Sequence, residues 1–275
     1  MKTILLTGAT GFVGSQILAH LAQKKDVQVR LIVRQKSEQM YRDIANIENI
    51  ITTNDLFEEN DSYLNNVCKN IDVLIHAAWY VEPGKYLESP LNINCLNGTL
   101  SLAKAAAQTG VKRFVGLGTC FEYDLGSGIL STSTPLNPIT PYAAAKAAAF
   151  IFLSKYFAAA NISFCWCRLF YLYGNGEDER RLVAYIKSRL SKGEVVNLSS
   201  GEQIRDFLNV TDAAKSIVDK AFINKSGPIN ICSGTGITVR EMAEKIADQY
   251  DRRDLLAFGT RKENLVDPPI IIGVP

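Results

Sequence analysis

Thr7-Gly8-Ala9-Thr10-Gly11-Phe12-Val13-Gly14 follows the apolar run Lys2–Thr7 and opens a segment, Gly14 to Lys24, in which Ile17, Leu18 and Leu21 fall on one stripe. The stretch reads as strand, glycine turn and helix. Glycines at 8, 11 and 14 permit the tight turn, let backbone approach an anion and let helix and strand pack closely; the helix N-terminus then faces a pyrophosphate. A dinucleotide site is the expectation, with Gly8, Thr10, Gly11, Phe12, Val13 and Gly14 as its first residues.

The same alternation continues downstream. Val27–Arg34, Ile50–Asp55, Ile71–Ala77, Val111–Gly118 and Ile162–Phe170 read as strands, and Leu91–Thr109 (stopping at Gly110) and Tyr142–Ala160 as helices. Short apolar strands alternating with helices predict an α/β fold, a Rossmann-type doubly wound parallel sheet with right-handed crossovers. Beyond Tyr173-Gly174 the rhythm changes: 175–208 is rich in charge and turns, Val210–Phe222 returns to helix, and Pro228–Cys232 reads as one more strand. The expected organisation is a dinucleotide-binding domain over 1–170, with 208–231 returning to it, and a smaller interleaved substrate lobe from 171–207 and 232–275. Ligands of such sheets bind at the carboxyl ends of the strands.

At 275 residues and 47% apolar composition the chain can bury a full-sized core. A net charge of +2, mixed in sign, leaves no footprint for nucleic acid and no polybasic membrane patch. The N-terminal apolar run is too short for an export signal, and Ala143–Ala160, carrying Lys146 and Lys155, reads as a core helix rather than a membrane span. Six cysteines (68, 95, 120, 165, 167 and 232) sit mostly in apolar segments, and the only histidines are His20 and His76. Buried thiols in a reducing cytosol, with no metal, are expected, and Cys165 and Cys167 should share one strand face.

Tyr142 and Lys146 are four residues apart, on one face of a helix that Pro138 and Pro141 help to start. A phenol with its free pKa of about 10 is a poor base at neutral pH, and a nearby ammonium favours its ionised form. In the reductive direction Tyr142 would give its proton to the alkoxide formed by hydride attack, while Lys146 would hold the nicotinamide ribose. Thr119, just after the fifth strand, is placed to bind the carbonyl oxygen. At the end of the second strand, Leu31-Ile32-Val33-Arg34-Gln35-Lys36-Ser37 carries no acid before Glu38. An acid there suits the ribose hydroxyls of NAD, an arginine the 2′-phosphate of NADP. Arg34 therefore places NADP ahead of NAD.

With these motifs in place the chain resembles, over nearly its whole length, the extended short-chain dehydrogenase/reductases of the epimerase/dehydratase kind, which act on nucleotide-diphosphate sugars. Thr119, Tyr142 and Lys146 match their catalytic set. The resemblance implies adenine contacts at Asp55-Leu56, a nicotinamide neighbourhood at His76-Ala77-Ala78-Trp79, a helix asparagine at Asn94 and a cofactor contact at Leu169. Arg168-Leu-Phe-Tyr-Leu-Tyr-Gly174 resembles the R-x-F-N-x-Y-G segment, and Arg205-Asp-Phe-Leu-Asn-Val-Thr-Asp212 the substrate-lobe signature. Trp79, Glu122, Tyr171 and Arg205 are the expected substrate contacts; Arg205 would meet a diphosphate or form a structural ion pair.

The departures narrow the chemistry. Cys120 and Phe121 stand where sugar 4,6-dehydratases carry Asp-Glu, which argues against dehydration, and Tyr171 replaces the usual asparagine. The wording of Gly118–Tyr123 and Arg168–Gly174 is most like bacterial deoxysugar 4-ketoreductases. The expected activity is NADPH-dependent reduction of a nucleotide-diphospho-4-keto-6-deoxyhexose by a cytoplasmic homodimer. An NAD-dependent 4-epimerase, a reductase of a small non-nucleotide carbonyl and a non-catalytic NADP sensor are the alternatives, the last disfavoured because both Tyr142 and Lys146 are present.

Overall fold

Strand β1 (Lys2–Thr7) explains the frame. Ile4, Leu5 and Leu6 are all fully buried, Ile4 and Leu6 in one apolar cluster and Leu5 in another. Successive side chains of a strand point to opposite faces, so such a run belongs to a parallel strand covered on both sides. The computed structural model describes residues 1–44, 46–262 and 267–275.

After β1 come α1 (Phe12–Ala22), β2 (Val27–Arg34), β3 (Ile47–Thr53), α2 (Asp61–Cys68), β4 (Val73–His76), α3 (Leu91–Gln108) and β5 (Arg113–Thr119). Next are β6 (Ile129–Leu130), α4 (Pro141–Ala159), β7 (Ser163–Leu169), β8 (Tyr171–Tyr173), α5 (Leu182–Ser191), β9 (Val196–Asn197) and β10 (Ile204–Asn209). The chain ends with α6 (Val210–Phe222), β11 (Gly227–Ile231), β12 (Gly236–Thr238), α7 (Val239–Asp248), β13 (Leu256–Ala257) and β14 (Ile270–Gly273).

Seven strands form one parallel sheet in the order β11-β7-β5-β4-β1-β2-β3. One face is covered by α1 and α6 through Ile17, Leu21, Ala213 and Ile217; the other by α2, α3 and α4 through Leu64, Leu102, Leu153 and Phe157. The strand order reverses at β1/β4, and a crevice opens there at the carboxyl ends. In β5, Gly116 and Gly118 are required by packing, because a Cβ at either would run into the Trp166 indole.

A second sheet, β12-β10-β14-β6 with β8 also on β10, carries the smaller part of the molecule. Its apolar cluster joins α5 and α7 through Val183, Ile186, Met242 and Ile246. Three expectations need adjusting. The 175–208 stretch, expected to be rich in charge and turns, also holds α5, β9 and most of β10, and Ile129–Leu130 pairs with β14 in the second sheet although it lies in the first 170 residues. The third strand starts at Ile47 and stops before Asp55, whose Oδ1 instead accepts from Phe57 N at 2.9 Å and starts a turn. No described helix is long and apolar enough to cross a membrane.

Candidate active site

The crevice is a cleft of about 700 Å³. Its floor is the turn after β1. Gly8 has φ +76° and lies against β4's exit, where a Cβ would sit 2.6 Å from the Ala77 carbonyl carbon; a Cβ on Gly14 would strike the Gly8 carbonyl oxygen. Gly11 is the N-cap of α1, with no side-chain cap and no acid in the first turn. The first N–H groups of α1 are left to an anion, which is the fit a dinucleotide's pyrophosphate requires.

Behind the turn runs a chain of hydrogen bonds whose direction is determined. Thr99 Oγ1 donates to Cys95 O (2.7 Å), so it must accept from His76 Nε2 (2.9 Å), and His76 Nδ1 then accepts from Thr7 Oγ1 (2.8 Å). Burial brings His76 down to about 3, with Lys146 adding to the effect, so the ring is neutral. It ties the ends of β1 and β4 to α3 without carrying charge.

Tyr142 and Lys146 reach the cleft from the first turns of α4, which Thr140 caps by accepting from Ala143 N at 3.2 Å. Both are buried. Lys146 Nζ donates to Leu117 O at 2.6 Å and sits 3.7 Å from the centre of the Trp79 ring; burial brings it down to about 7, although Glu122 pulls the other way. The Tyr142 phenol is pushed well above its ordinary value by burial and by the neighbouring Tyr86 and Glu122, while the Thr119 hydroxyl acts against the rise. Its ring is held edge-on by Tyr86 at 4.8 Å and Trp79 at 6.4 Å between centres. Trp79 is in turn fixed by Nε1 donating to the buried Asn92 (2.9 Å). Thr119 Oγ1 accepts from Phe121 N at 3.3 Å, which leaves its proton to be donated.

The structure brings nearly all the expected residues together. Gly8, Thr10, Gly11, Phe12, Val13, Gly14, Arg34, Asp55, Leu56, Ala77, Ala78, Trp79, Asn94, Thr119, Tyr142, Lys146, Leu169 and Tyr171 all line the cleft. Glu122 and Arg205 do not, and their expected substrate contacts are corrected. Glu122 is fully buried, with its carboxylate taken up by Arg168 Nε (2.7 Å), Trp166 Nε1 (2.9 Å) and Thr119 N (2.9 Å). Arg205 is 3% exposed and bound to Asp267 and to Ile204 O (2.8 Å), so the ion-pair alternative holds. Phe57, Tyr80, Tyr86 and Arg181 line the cleft and were not singled out from sequence. Their signal lies in no motif; ring contacts mark two of them, Tyr86 on Tyr142 and Phe57 on His76 and Trp79.

All six cysteines are free thiols; Cys165 and Cys167 share one face of β7, 3.8 Å apart. Among the described residues no group of His, Cys, Asp and Glu is arranged to hold a metal ion.

Comparison with known proteins agrees with this geometry. The family described as NAD dependent epimerase/dehydratase matches residues 4–232. A dTDP-6-deoxy-L-talose 4-dehydrogenase (NAD(+)) of Aggregatibacter actinomycetemcomitans is 24% identical over 253 residues, covering 90% of either chain. Among solved structures, the UDP-N-acetylglucosamine 4-epimerase of Methanobrevibacter ruminantium M1, in complex with UDP-N-acetylmuramic acid, superposes with a TM-score of 0.85 at 25% identity, covering 99% of this chain and 89% of that one. MoeE5, in complex with UDP-glucuronic acid and NAD, gives 0.83 at 26% identity and the same coverage.

Proposed function

The chain belongs to the NAD dependent epimerase/dehydratase family, and from that premise we propose that it reduces the 4-keto group of a nucleotide-diphospho-6-deoxyhexose. The observation that carries this reading is a buried Tyr142 beside Thr119, with its phenol held in the protonated form. A bound dinucleotide supplies the hydride. Thr119 donates a hydrogen bond to the carbonyl oxygen, Tyr142 delivers the proton as negative charge develops there, and Lys146 stays at the floor of the cleft. The wall that would have to supply acid and base for dehydration is Cys120, buried with its thiol pushed up, and the apolar Phe121.

The dinucleotide is NADPH on the strength of Arg34. It is exposed at the end of β2, lines the cleft, and has no ion-pair partner among the described residues. The 4-dehydrogenase and MoeE5 named above are described with NAD, which a 4-epimerase would also use, and the likeness to an epimerase structure supports that second reading. One assay separates them. Protein offered NADPH or NADH with CDP-, dTDP- and UDP-linked 4-keto-6-deoxyhexoses should oxidise NADPH with at least one sugar. Interconversion of a nucleotide sugar without added cofactor, and no net oxidation, would sink the reductase reading in favour of the epimerase. In the same assay Arg34→Ala should raise KM for NADPH by roughly tenfold or more and leave NADH little changed, because a charge-assisted phosphate contact is worth about 1.5–3 kcal/mol; equal loss for both would leave NAD as the cofactor.

A homodimer is part of the proposal. Ile93 on α3 and Ile151 and Phe152 on α4 are 53–64% exposed, an unusual concentration for two helices whose other faces are buried in the sheet core. A light-scattering mass near twice 30.3 kDa is expected, and a monomer mass at micromolar concentration would refute it.

A further inference from the structure

We propose that Arg181 is the residue that grips the diphosphate of the substrate, held in place by the buried carboxylate of Glu177. This rests on the nucleotide-sugar reading above.

Among the described residues lining the cleft, three carry positive charge: Arg34, Lys146 and Arg181. Arg34 stands at the end of β2 and Lys146 is buried between Leu117 O and the Trp79 ring. Arg205 is closed off by Asp267. That leaves Arg181, at the N-terminal end of α5, as the one cation offered by the smaller part of the molecule. A diphosphate without a cation on that side would be held by neutral groups alone.

The surroundings of Arg181 fit that task. Its side chain is 41% exposed, while Glu177, whose Oε1 lies 3.5 Å from Arg181 Nε, is 4% exposed. A contact through Nε holds the stem and leaves both terminal nitrogens of the guanidinium for a bidentate phosphate contact. Glu177 Oε2 is buried without a hydrogen-bond partner; burial pushes the carboxyl up, and the Arg181 charge leads the influences that hold it down, ahead of the Gly174 backbone and Lys187. Tyr86 borders the same stretch of cleft, close enough for the Arg181 charge to favour its ionised form against the effect of burial, and Tyr86 packs on Tyr142. The anchor is thus one aromatic side chain, Tyr86, away from the proton donor. Arg180 next to it is turned elsewhere, to Asp178 at 2.8 Å and Glu82 at 3.6 Å.

Calorimetric titration of the NADP⁺-saturated protein with UDP, dTDP and CDP tests this without turnover. The best-bound diphosphate should lose roughly ten- to a hundredfold in affinity in Arg181→Ala. Arg181→Lys should fall between, since charge is kept and the fork is lost; Glu177→Gln should weaken binding less than Arg181→Ala, and Glu177→Asp should restore part of it. NADP⁺ affinity should be unchanged in all of them, which reports a folded cleft. Equal affinity of wild type and Arg181→Ala for every diphosphate would overturn the inference alone. Failure of the wild type to bind any of the three would remove the nucleotide-sugar reading, and this inference with it.

Discussion

Tyr142→Phe should lower kcat by about 10²–10⁴-fold and leave dinucleotide binding almost untouched, which is the range a positioned general acid contributes. The variant is a clean one because the ring is held by its edges. Tyr86 and Trp79 pack on the aromatic ring, not on the hydroxyl, and phenylalanine keeps those contacts. What is lost is one O–H beside Thr119. Stopped-flow measurement of a single turnover with the preferred cofactor and sugar would isolate the step, and a rate within threefold of wild type would remove Tyr142 as the acid.

The direction of proton transfer follows from the same burial. With its phenol pushed well above the ordinary value, Tyr142 is protonated across the neutral range; the same rise makes it a weak acid, whose proton moves only as the stronger base, an alkoxide, develops at the substrate. An oxidised nicotinamide brings positive charge that favours phenolate; a reduced one does not. A site that binds the reduced cofactor therefore keeps its acid loaded. Lys146, brought down to about 7, is not a fixed charge in the same range, and its hydrogen bond to Leu117 O makes it first of all a group that fixes the first turn of α4 to the end of β5.

How much of this was legible differs between the two parts of the molecule. In the parallel sheet each strand is a short apolar run buried on both faces, and the glycine turn stands out because three positions tolerate no Cβ without a clash or a change of backbone. The residues expected to hold the cofactor therefore come together along one cleft. The second sheet is made of strands of two to six residues whose partners lie far apart in sequence, β6 with β14 above all, and no local period signals such pairing. One signal there was available: Thr238-Val239-Arg240-Glu241 is a reciprocal capping box, with Thr238 accepting from Glu241 N at 3.0 Å and Glu241 accepting from Thr238 N at 2.8 Å, and it marks the start of α7. Arg205 and Glu122 went the other way. A charged residue beside a catalytic motif reads as a ligand contact, and only the fold reveals that its partner is another side chain, buried Arg168 for Glu122 and half-buried Asp267 for Arg205.

Glu122→Ala should cost about 3–5 kcal/mol of stability, the loss expected when one member of a buried ion pair is removed. Its side chain and that of Arg168 are 0% and 1% exposed. The Arg168 guanidinium lies between the Tyr123 and Phe150 rings, 4.4 and 4.5 Å from their centres, and its Nη2 has no partner. Without Glu122 the cation is left with aromatic faces only, and the Trp166 and Thr119 N–H groups lose their acceptor. At roughly 2–4 °C per kcal/mol the melting temperature should fall on the order of 10 °C. Glu122→Gln combined with Arg168→Met tells the charge from the packing: it removes the stranded cation, keeps an acceptor for Trp166 and Thr119, and should recover most of the loss. Were the double variant as unstable as Glu122→Ala, the intact ion pair itself, rather than a stranded cation or lost volume, would be what holds the site. A substrate role makes the opposite forecast, a raised KM with an unmoved melting temperature, and that result would return Glu122 to the cleft. The buried pair instead couples stability to chemistry through one bond, because the carboxylate that neutralises Arg168 also holds the backbone N–H of Thr119 at 2.9 Å; variants that stay folded should lose rate as the carbonyl donor drifts.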